Sequence, residues 1–571
     1  MLPRSLATVR ASARSSGSSI SALVGRTGTS LLGQRAATAR LSSSIAPGAT
    51  PTSSLISYGK LDNGVRVATE ATPGHFSAVG VYIDAGSRFE RPWVAGESGV
   101  SHLMDRMAFK ATSNRTADEM SKDIEALGGN IMCSSSRETI MYQSSFFNQD
   151  LDKVLRILAD TTINPVLSDE ELDAQRAAAA WEIDEIWNKP EMIIPELLHS
   201  VAYANNTLGN PLLCPVESLE VMKSDNLRDY MRRFYTPPRI VVAGAGMQHD
   251  LLMELSNRYF GGLEAQQPAA QLIGQSPSSS SPSSSSASSP RSSTASSRSA
   301  SPSMFASSPA SSTTSLSSSG PSFDYSTSAA LAAQHASKNA IDVPPELQRA
   351  RYTGGQLYQS RPELDFTHVY VAFEGLAITD PDIYALATLQ ILLGGGGSFS
   401  AGGPGKGMYS RLYSNVLNQF HAVDYCAAFH HCYADSGLFG IAASVQHDFA
   451  PQVAKMLARE LELCTGPFVR GGVTHEELAR AKNQLKSSLV MALESRLVEV
   501  EDLGRQVQVH GHKVTVEEMC DHIDKVDLAA LHRVATRVLR PKDSRSTVVA
   551  MGDVSRLNDV RELLSSRGLG Q

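Results

Sequence analysis

The sequence predicts an α+β protein made of two homologous domains, each a mainly antiparallel sheet covered by helices. Three observations indicate this fold class. The same order of strands and helices occurs twice in the 571 residues, each copy ends in a β-branched run closed by glycine, and a serine-rich segment separates the copies. The length alone allows about three or four domains of roughly 100–200 residues, or two large ones. The repeat reduces the folded part to two domains, which we expect at 53–265 and 345–571.

Each predicted domain begins and ends with an apolar strand. The opening strands read VGVYID at 79–84 and HVYVAF at 368–373. The closing strands, IVVAGAG at 240–246 and TVVAMGD at 547–553, each precede an amphipathic helix. Because strands recur between helices as hairpin-like pairs, we expect mainly antiparallel sheets with helices on one face.

The middle of each domain carries a further matched pair of elements. Strand-like runs occupy 138–146 (ETIMYQSSF) and 437–445 (GLFGIAASV). A long helix then follows a Ser/Thr-x-x-Glu capping signature, at 168–171 in the first copy and 474–477 in the second. The agreement of type and order indicates a duplication.

Residues 1–45 have the composition of a mitochondrial transit peptide. They contain six arginines and no lysine, aspartate or glutamate, and they are rich in serine. Arginine-rich, serine-rich and acid-free leaders are typical of mitochondrial import, although a disordered basic tail has a similar composition. Without those six arginines, 45 basic residues remain against 58 acidic ones, so the net charge falls from -7 to -13.

Residues 266–344 are predicted to form a disordered linker between the domains. The stretch 271–320 contains 26 serines, with proline and alanine among the remainder. Such a segment cannot bury enough apolar surface to offset the entropy of ordering it. A tolerated insertion is the simpler interpretation, and phosphorylation is the alternative.

Overall composition excludes several classes of protein. A net charge of -7 argues against a general nucleic-acid binder. No run approaches the 18–20 uncharged apolar residues that a membrane helix requires, so we expect no membrane span. The six cysteines form no C-x-x-C pair, which argues against a disulfide framework and against a cysteine zinc site.

Residues 99–112, GVSHLMDRMAFKAT, resemble the H-x-x-E-H motif of pitrilysin-type metallopeptidases. In that motif two histidines one helical turn apart bind zinc, and the glutamate between them acts as the base. The matching positions here are His102, Asp105 and Arg106. A guanidinium group has no lone pair to donate and stays protonated, so Arg106 cannot replace the second histidine.

The family's third ligand is a downstream glutamate, which Glu182 in AAWEIDEIWNKPE matches. Two of three ligands remain, whereas a catalytic zinc site normally has three from the protein. We therefore predict that this chain binds no metal and supplies no catalytic residue. The alternative role for His102, Asp105, Arg106 and Glu182 is a buried ion-pair network that joins two helices.

A glycine-rich loop lies in the second predicted domain, where eight of the fourteen residues at 394–407 are glycine. A phosphate-binding loop of the G-x-x-x-x-G-K-[ST] type is excluded because Ser400 and Gly407 stand where Gly and Ser/Thr are required. This glycine density indicates a mobile loop able to approach a ligand closely, with a plain flexible connection as the alternative.

The run DPDIYALATLQILLGGGGSFSAGGPGKGMYSRLY at 380–413 resembles the glycine-rich loop of the alpha subunits of mitochondrial processing peptidases. Further stretches agree with this family, including SRETIMYQ at 136–143, WEIDEIWNKPEMIIPELLHSVAY at 181–203 and RAKNQLKSSLVMALESRLVEVEDLGRQV at 480–507. The resemblance covers about 53–265 and 345–571, and it implies a pitrilysin-like fold.

The resemblance also implies a function in the mitochondrial matrix. Alpha subunits recognise the presequences of imported precursors, and a beta partner in the heterodimer carries the zinc and performs hydrolysis. The implied substrate-binding residues are Gly394, Gly395, Gly396, Gly397, Ser398, Phe399, Gly402, Gly403, Gly405 and Gly407.

Carboxylates that could meet presequence arginines are not identified by spacing alone. Glu499, Glu501, Asp502 and Glu374 are candidates, although each is also typical of a solvated surface. A structural core protein of respiratory complex III, from the same superfamily, is the alternative function. A lone active peptidase and a scaffold without a peptidase link are weaker alternatives.

Overall fold

The structure is a computed structural model that describes residues 55–264, 348–398, 407–466 and 471–570. The predicted transit peptide at 1–45 and the predicted linker at 266–344 lie outside the described residues. All described residues fall within one compact unit, Pro51–Gln571.

The first half contains a six-stranded mixed sheet in the order β1-β2-β6-β3-β5-β4. Only β2 and β6 pair in parallel, and the other neighbours are antiparallel. The strands are β1 (Ile56–Lys60), β2 (Arg66–Glu70), β3 (Phe76–Ile83), β4 (Asn130–Ser135), β5 (Ile140–Phe147) and β6 (Ile240–Ala245).

Helices of the first half cover one face of this sheet and form the larger part of its core. Val79 and Val81 of β3 belong to the same buried cluster as Val154, Leu155 and Leu158, which lie on α3. The helices are α1 (Val100–Arg106), α2 (Ala117–Leu127), α3 (Leu151–Ile163), α4 (Asp169–Trp187), α5 (Pro190–Ala202), α6 (Val216–Val221), α7 (Ser224–Phe234) and α8 (His249–Phe260).

The second half repeats the arrangement with the order β7-β12-β8-β11-β10-β9, in which β7 and β12 are parallel. Its outer strand β9 is a run of three glycines that pairs with β10. The strands are β7 (Gly355–Ser360), β8 (Thr367–Glu374), β9 (Gly395–Gly397), β10 (Val423–Cys432), β11 (Gly437–Val445) and β12 (Thr547–Gly552).

The helices of the second half include the one that precedes the glycine loop and a long helix that corresponds to α4. They are α9 (Ile383–Leu393), α10 (Ala450–Cys464), α11 (His475–Leu493), α12 (Arg496–His510), α13 (Val516–Asp524), α14 (Leu528–Leu539) and α15 (Val560–Ser566). A short π-helical turn, Tyr413–Leu417, follows the loop.

The predicted fold class is confirmed, and the predicted helix starts lie where the capping signatures place them. Ser168 accepts a hydrogen bond from the backbone N–H of Glu171 at the start of α4. Thr474 and Glu477 form a complete capping box at the start of α11. The predicted division at 266–344 remains a prediction.

The expectation of helices on one face of each sheet is wrong, because the other face is covered by a helix from the opposite half. Leu503 and Val507 of α12 pack on Tyr82 and Val241 of the first sheet. Leu198 of α5 packs in the same way on the second sheet, in a cluster that includes Tyr370, Val549 and Met551. Both faces of the central strands are apolar, as the uninterrupted burial of β6, β11 and β12 indicates, so both faces need a cover.

The tips of two corresponding hairpins also meet between the halves. Arg88, only 6% exposed, binds Asp435 at the β10–β11 turn through Nη2–Oδ2 at 2.9 Å and also pairs with Glu138 beside the β4–β5 turn. The backbone N–H of Ala434 donates to the same Glu138 carboxylate at 3.0 Å. These bonds fix the two sheets relative to each other at one end.

Candidate functional site

The helix with the degenerate motif, α1, meets α4 through a small polar cluster. His102 is 7% exposed, and its Nε2 lies 3.5 Å from Oε2 of Glu182. Arg106 places Nη2 2.5 Å from the same oxygen. The hydrogen bond from His102 holds the pKa of the Glu182 carboxyl below its usual value, and the Arg106 charge adds to this effect against the opposing influence of burial.

The tautomer of His102 is set by its second ring nitrogen. The backbone N–H of Cys214 donates to His102 Nδ1 at 3.2 Å, so the ring proton lies on Nε2 and points to Glu182. A zinc-binding histidine normally does the opposite, with a free lone pair on the ligating nitrogen and a proton donated by the other. The orientation of His102 therefore does not suit a zinc ion bound to Nε2.

Asp105 takes no part in the contact between Arg106 and Glu182. Its Oδ2 accepts a hydrogen bond from the backbone N–H of Ser135, at the end of β4, at 2.9 Å. Burial raises the pKa of the Asp105 carboxyl, and the bond from Ser135 opposes that shift. The ion-pair network predicted for four residues thus joins three, because the short aspartate side chain is bound to β4.

The three remaining residues do not fit a zinc ion. Arg106 brings a positive charge to the place of a ligand, His102 directs a proton there, and Glu182 is already engaged by both. Within residues 55–264, 348–398, 407–466 and 471–570, no group of three or more His, Cys, Asp or Glu side chains is arranged to hold a metal. No helix in the same ranges is long and apolar enough to cross a membrane.

The glycine loop begins directly at the end of α9. Gly394 has φ 55°, and Gly395 has φ 100°, a backbone region that favours glycine. A Cβ atom on Gly395 would lie 2.0 Å from the carbonyl oxygen of Cys426, so no larger residue fits against β10. A Cβ atom on Gly397, opposite Tyr425 in the sheet, would meet no atom of the described residues within 4 Å. Packing therefore requires the first two glycines, whereas nothing in the described part of the chain requires a glycine at 397.

Hydrogen bonds hold the two ends of the glycine loop together at its base. The backbone N–H of Gly395 donates to Oγ of Ser410 at 3.1 Å. On the entering side, the N–H of Ser398 donates to the carbonyl of Asp424 at 2.6 Å. The predicted residues Phe399, Gly402, Gly403 and Gly405 lie outside the described residues, while Gly396 and Gly407 lie within them.

Arg411 fastens the leaving side of the loop to α11. Its side chain is 4% exposed and donates to both carboxylate oxygens of Glu477 at 2.9 and 3.0 Å. It also donates to the carbonyl oxygens of Gly471 and Gly472 at 3.1 and 2.7 Å. Sequence reasoning missed Ser410 and Arg411, although a polar residue and an arginine directly after a glycine-rich run indicate an anchor.

The proposed substrate carboxylates have other partners. Glu499 is buried and accepts hydrogen bonds from Thr72 Oγ1 and Arg496 Nη1, each at 2.6 Å, so it does not face a substrate. Asp502 lies 3.5 Å from Lys513 Nζ, and Glu501 lies 3.3 Å from Arg505 Nη1. Glu374 is half-buried, and burial raises the pKa of its carboxyl. Of the three carboxylates on α12, Glu499 links the helix to the first half through Thr72, and the other two pair with basic residues on or next to α12.

The two predicted sites lie in different halves of the molecule. His102, Arg106 and Glu182 belong to α1 and α4, whereas the glycine loop joins α9 to the π-helical turn. Among the described residues, no hydrogen bond or ion pair links one site to the other.

Comparison with sequence families matches most of the chain to one family. Residues 66–216 match the family described as Insulinase (Peptidase family M16). Residues 222–295 and 323–485 match the Peptidase M16 inactive domain.

Several curated proteins are similar along most of their length. A protein of Neurospora crassa named mitochondrial-processing peptidase subunit alpha is 50% identical over 489 residues, which cover 84% of this chain and 82% of the relative. The Homo sapiens protein of the same name is 33% identical, covering 89% of this chain and 84% of the relative. A probable subunit alpha of Schizosaccharomyces pombe is 40% identical, covering 90% and 88%.

A solved chain from complex III2 of Candida albicans, with Inz-5 bound, has a similar structure. The TM-score is 0.65 at 16% sequence identity, covering 90% of this chain and 99% of that one. At this identity the likeness shows the shared fold alone.

Proposed function

The chain belongs to peptidase family M16, and from that membership we propose that it acts as the non-catalytic alpha subunit of a heterodimeric mitochondrial processing peptidase. In this role it binds the N-terminal presequences of imported precursors. The observation that carries the proposal is the ion pair between Arg106 Nη2 and Glu182 Oε2, which lie 2.5 Å apart. This ion pair occupies the position where the family motif holds its metal.

The degenerate cluster now serves to pack two helices together. Glu182 on α4 lies within ion-pair distance of His102 and Arg106 on α1, and this contact joins the two helices across a half-exposed surface. Asp105, the position of the family's base, is bound to the backbone of Ser135. The Asp105 carboxylate is one methylene shorter than that of glutamate and is directed to β4, and Arg106 stands in place of a metal ligand. Both parts of the family's hydrolytic site, the base and the metal-binding set, are therefore altered in this chain.

The beta partner would supply the zinc, which activates water for attack on the scissile peptide. The contribution of this chain would be to bind and position the substrate. A flexible loop with a fixed base suits presequences, which differ from one another in sequence and need adaptable contacts. The net charge of -13 without residues 1–45 has the right sign to attract arginine-rich peptides, and this attraction weakens with salt.

Two further assignments rest on the same family membership. We place the mature protein in the mitochondrial matrix, where a transit peptide at 1–45 would deliver it. We also assign the ten predicted residues of the glycine loop to substrate contact. Gly397 supports this assignment because local packing does not require a glycine there.

A structural core protein of complex III, the alternative that the sequence suggested, is not favoured. The match to a chain of complex III2, at 16% identity, shows the shared fold alone. The relative at 50% identity is a processing peptidase subunit, and the glycine loop gives the processing role a specific structural counterpart. The processing role is therefore the stronger proposal.

Reconstitution tests the proposal directly. The chain without its first 45 residues is mixed with a beta subunit, and cleavage of a precursor is followed by gel electrophoresis. We expect no cleavage by either subunit alone and chelator-sensitive cleavage by the pair. Cleavage by this chain alone, or a pair that stays inactive while the same beta subunit works with a Neurospora alpha subunit, would contradict the proposal.

The variant Arg106→His tests whether Arg106 alone prevents metal binding in this chain. It restores two histidines one turn apart beside Glu182, but the Cys214 N–H still keeps the proton of His102 on Nε2, so we expect no more zinc in the variant than in the wild type. Zinc uptake by the variant would show that Arg106 is the one obstacle and that the His102 tautomer can change. Arg106→Gln is the matched control, and elemental analysis of the three purified proteins is the measurement.

A further inference from the structure

We propose that the base of the glycine loop is itself a two-point binding site for a cationic amphipathic peptide. In this site Tyr409 receives apolar or guanidinium groups and the Asp424 carboxylate receives an arginine. The inference rests on the proposed function, because the presequence is the ligand that the function supplies. It adds two residues that lie outside the glycine loop and were not among the expected binding residues.

Tyr409 has the largest exposed fraction, 79%, among the large apolar side chains of the described residues. It occupies a turn that is closed by the N–H of Ser410 donating to the carbonyl of Gly407 at 2.9 Å. Arg411, two residues after Tyr409, is almost fully buried and pairs with Glu477. Because this turn is anchored, its backbone holds the aromatic ring in solvent. A ligand that covers the ring therefore loses little binding free energy to the ordering of the chain.

Asp424 lies at the other side of the base, beside β9. Its Oδ1 accepts a hydrogen bond from Ser398 Oγ at 3.2 Å, and its backbone carbonyl accepts from the N–H of Ser398. None of the lysine and arginine side chains in the described ranges forms an ion pair with this carboxylate. Asp424 is thus oriented by a neutral hydroxyl and is not paired with a lysine or arginine of the described residues, so it can receive an external cation.

The backbone anchors of the two groups lie at opposite ends of β9. Gly395 binds Ser410 and Ser398 binds Asp424, and three residues of extended chain span about 10 Å. Two turns of an α-helix rise by a similar distance, about 11 Å. An amphipathic presequence can therefore place an arginine at Asp424 while an apolar or second basic side chain covers the Tyr409 ring. Tyr409 supplies an adaptable apolar face and Asp424 selects for positive charge.

The test uses the reconstituted heterodimer and a synthetic presequence peptide, together with a second peptide in which citrulline replaces each arginine. The alpha variants are Tyr409→Ser, Tyr409→Phe and Asp424→Asn, the last of which keeps the acceptor for Ser398. We expect Tyr409→Ser to raise KM about tenfold, more than it lowers kcat, and Tyr409→Phe to lie closer to the wild type. Asp424→Asn should raise KM about fivefold at low salt.

The effect of Asp424→Asn should shrink in high salt and vanish with the citrulline peptide, because it depends on charge. Matched controls are Trp93→Ser, which removes an exposed aromatic, and Asp118→Asn, which removes an exposed carboxylate on α2. Both controls should leave KM within about twofold of wild type. Gel filtration and circular dichroism verify that each variant folds and pairs with the beta subunit.

The outcomes separate the binding site from the proposed function. An active wild-type pair whose KM is unchanged by Tyr409→Ser and Asp424→Asn overturns the two-point site and leaves the proposed function intact. An inactive wild-type pair contradicts the proposed function, and anisotropy of the labelled peptide on the same complexes then decides the site. Weaker binding to both variants than to both controls would support it, and equal binding would overturn it.

Discussion

In the first half, Glu182 on the long helix α4 pairs with His102 and Arg106 on α1. In the second half, Glu477 on the corresponding helix α11 pairs with Arg411 at the base of the glycine loop. Both long helices begin after a Ser/Thr-x-x-Glu sequence, which forms a complete capping box only in α11. In both helices the glutamate of this sequence also binds a segment that comes earlier in the same half of the chain. Glu171 Oε1 accepts from the backbone N–H of Ala111 at 3.0 Å, just as Glu477 accepts from Arg411.

Each half therefore has a glutamate at the start of its long helix that binds an earlier segment, and the two halves differ in the segment that is bound. In the first half, a short connection of ordinary residues leads from α1 to Ala111. In the second, the anchor holds a loop with eight glycines in fourteen residues. A duplicated fold can vary the segment between two fixed points without disturbing either core, because the hydrogen bonds of the cap fix the ends independently of the intervening sequence.

The largest effect that tests this comparison concerns α5 and α12, the helices that each cover the sheet of the opposite half. Leu198 on α5 and Leu503 on α12 are almost completely buried, each against the sheet of the other half. We expect Leu198→Ala and Leu503→Ala each to lower the free energy of unfolding by about 2–5 kcal/mol, as for other core truncations. Urea unfolding followed by circular dichroism measures the change. Val490→Ala, at a position 44% exposed on α11, is the control and should change little.

The second effect compares the two cap glutamates. Glu477→Ala leaves Arg411 buried without its carboxylate, which we expect to cost about 3 kcal/mol. Glu171→Ala removes a hydrogen bond to one backbone N–H, so the expected cost is about 1 kcal/mol. Equal losses in urea unfolding would mean that the two anchors do not differ in strength as the structure indicates.

The third effect separates glycines that packing requires from glycines that it does not. Gly395→Ala brings a Cβ against the carbonyl of Cys426 and forces an unfavourable φ, so we expect a loss of about 1–3 kcal/mol. The methyl group added by Gly397→Ala would contact no atom of the described residues, so the free energy of unfolding should stay nearly unchanged. Thermal unfolding of both variants is the measurement, and a large loss for Gly397→Ala would contradict the lack of a described neighbour at that position.

The smallest effect is a difference between α5 and α12 in how their packing responds to pH. His199 on α5 accepts from Tyr433 Oη at Nε2 and contacts the Pro195 carbonyl through Nδ1, both at 2.7 Å. Burial, with nearby Arg137 and His431, holds the pKa of His199 well below its usual value of 6.5. The unfolded chain therefore binds a proton that the folded chain does not, and stability should fall as pH decreases below about 6.5, by at most about 1.4 kcal/mol per pH unit.

The measurement is urea unfolding between pH 7.5 and about 5, with His199→Gln as the variant that removes this titration. The free energy of unfolding of the variant should change less with pH over that range than the free energy of unfolding of the wild type. Val500, Leu503 and Val507, which pack α12 on the first sheet, carry no group that titrates in this range. Identical pH slopes in wild type and variant would place the acid sensitivity elsewhere.

Much of the fold could be predicted because it depends on local chemistry. The strand GLFGIAASV was predicted at 437–445 and occurs at Gly437–Val445. The helix starts after Ser168 and Thr474 follow from side-chain caps that act over three residues. The cover of each sheet by a helix from the other half was missed, since periodicity identifies an apolar helix face but not the surface that it meets.

The candidate site was predictable to a similar extent. The chemistry of Arg106 follows from its guanidinium group in any environment, so its failure as a zinc ligand could be inferred from the motif alone. The separation of Asp105 from Arg106 could not, because it depends on the position of the Ser135 N–H at the end of a strand distant in sequence. Likewise, the spacing of charges on α12 did not reveal that Glu499 is buried against Thr72 and Arg496.

The sequence by itself determined the duplication, the positions of the caps, the residue types at the degenerate motif and the glycine density of the loop. Each of these depends on contacts within a few residues or on the intrinsic chemistry of one side chain. Only the tertiary structure decided which half covers which sheet, the tautomer of His102, and the closure of the loop base by Ser410, Arg411 and Asp424. Those features depend on partners brought together from distant positions, where packing geometry rather than local pattern selects the contact.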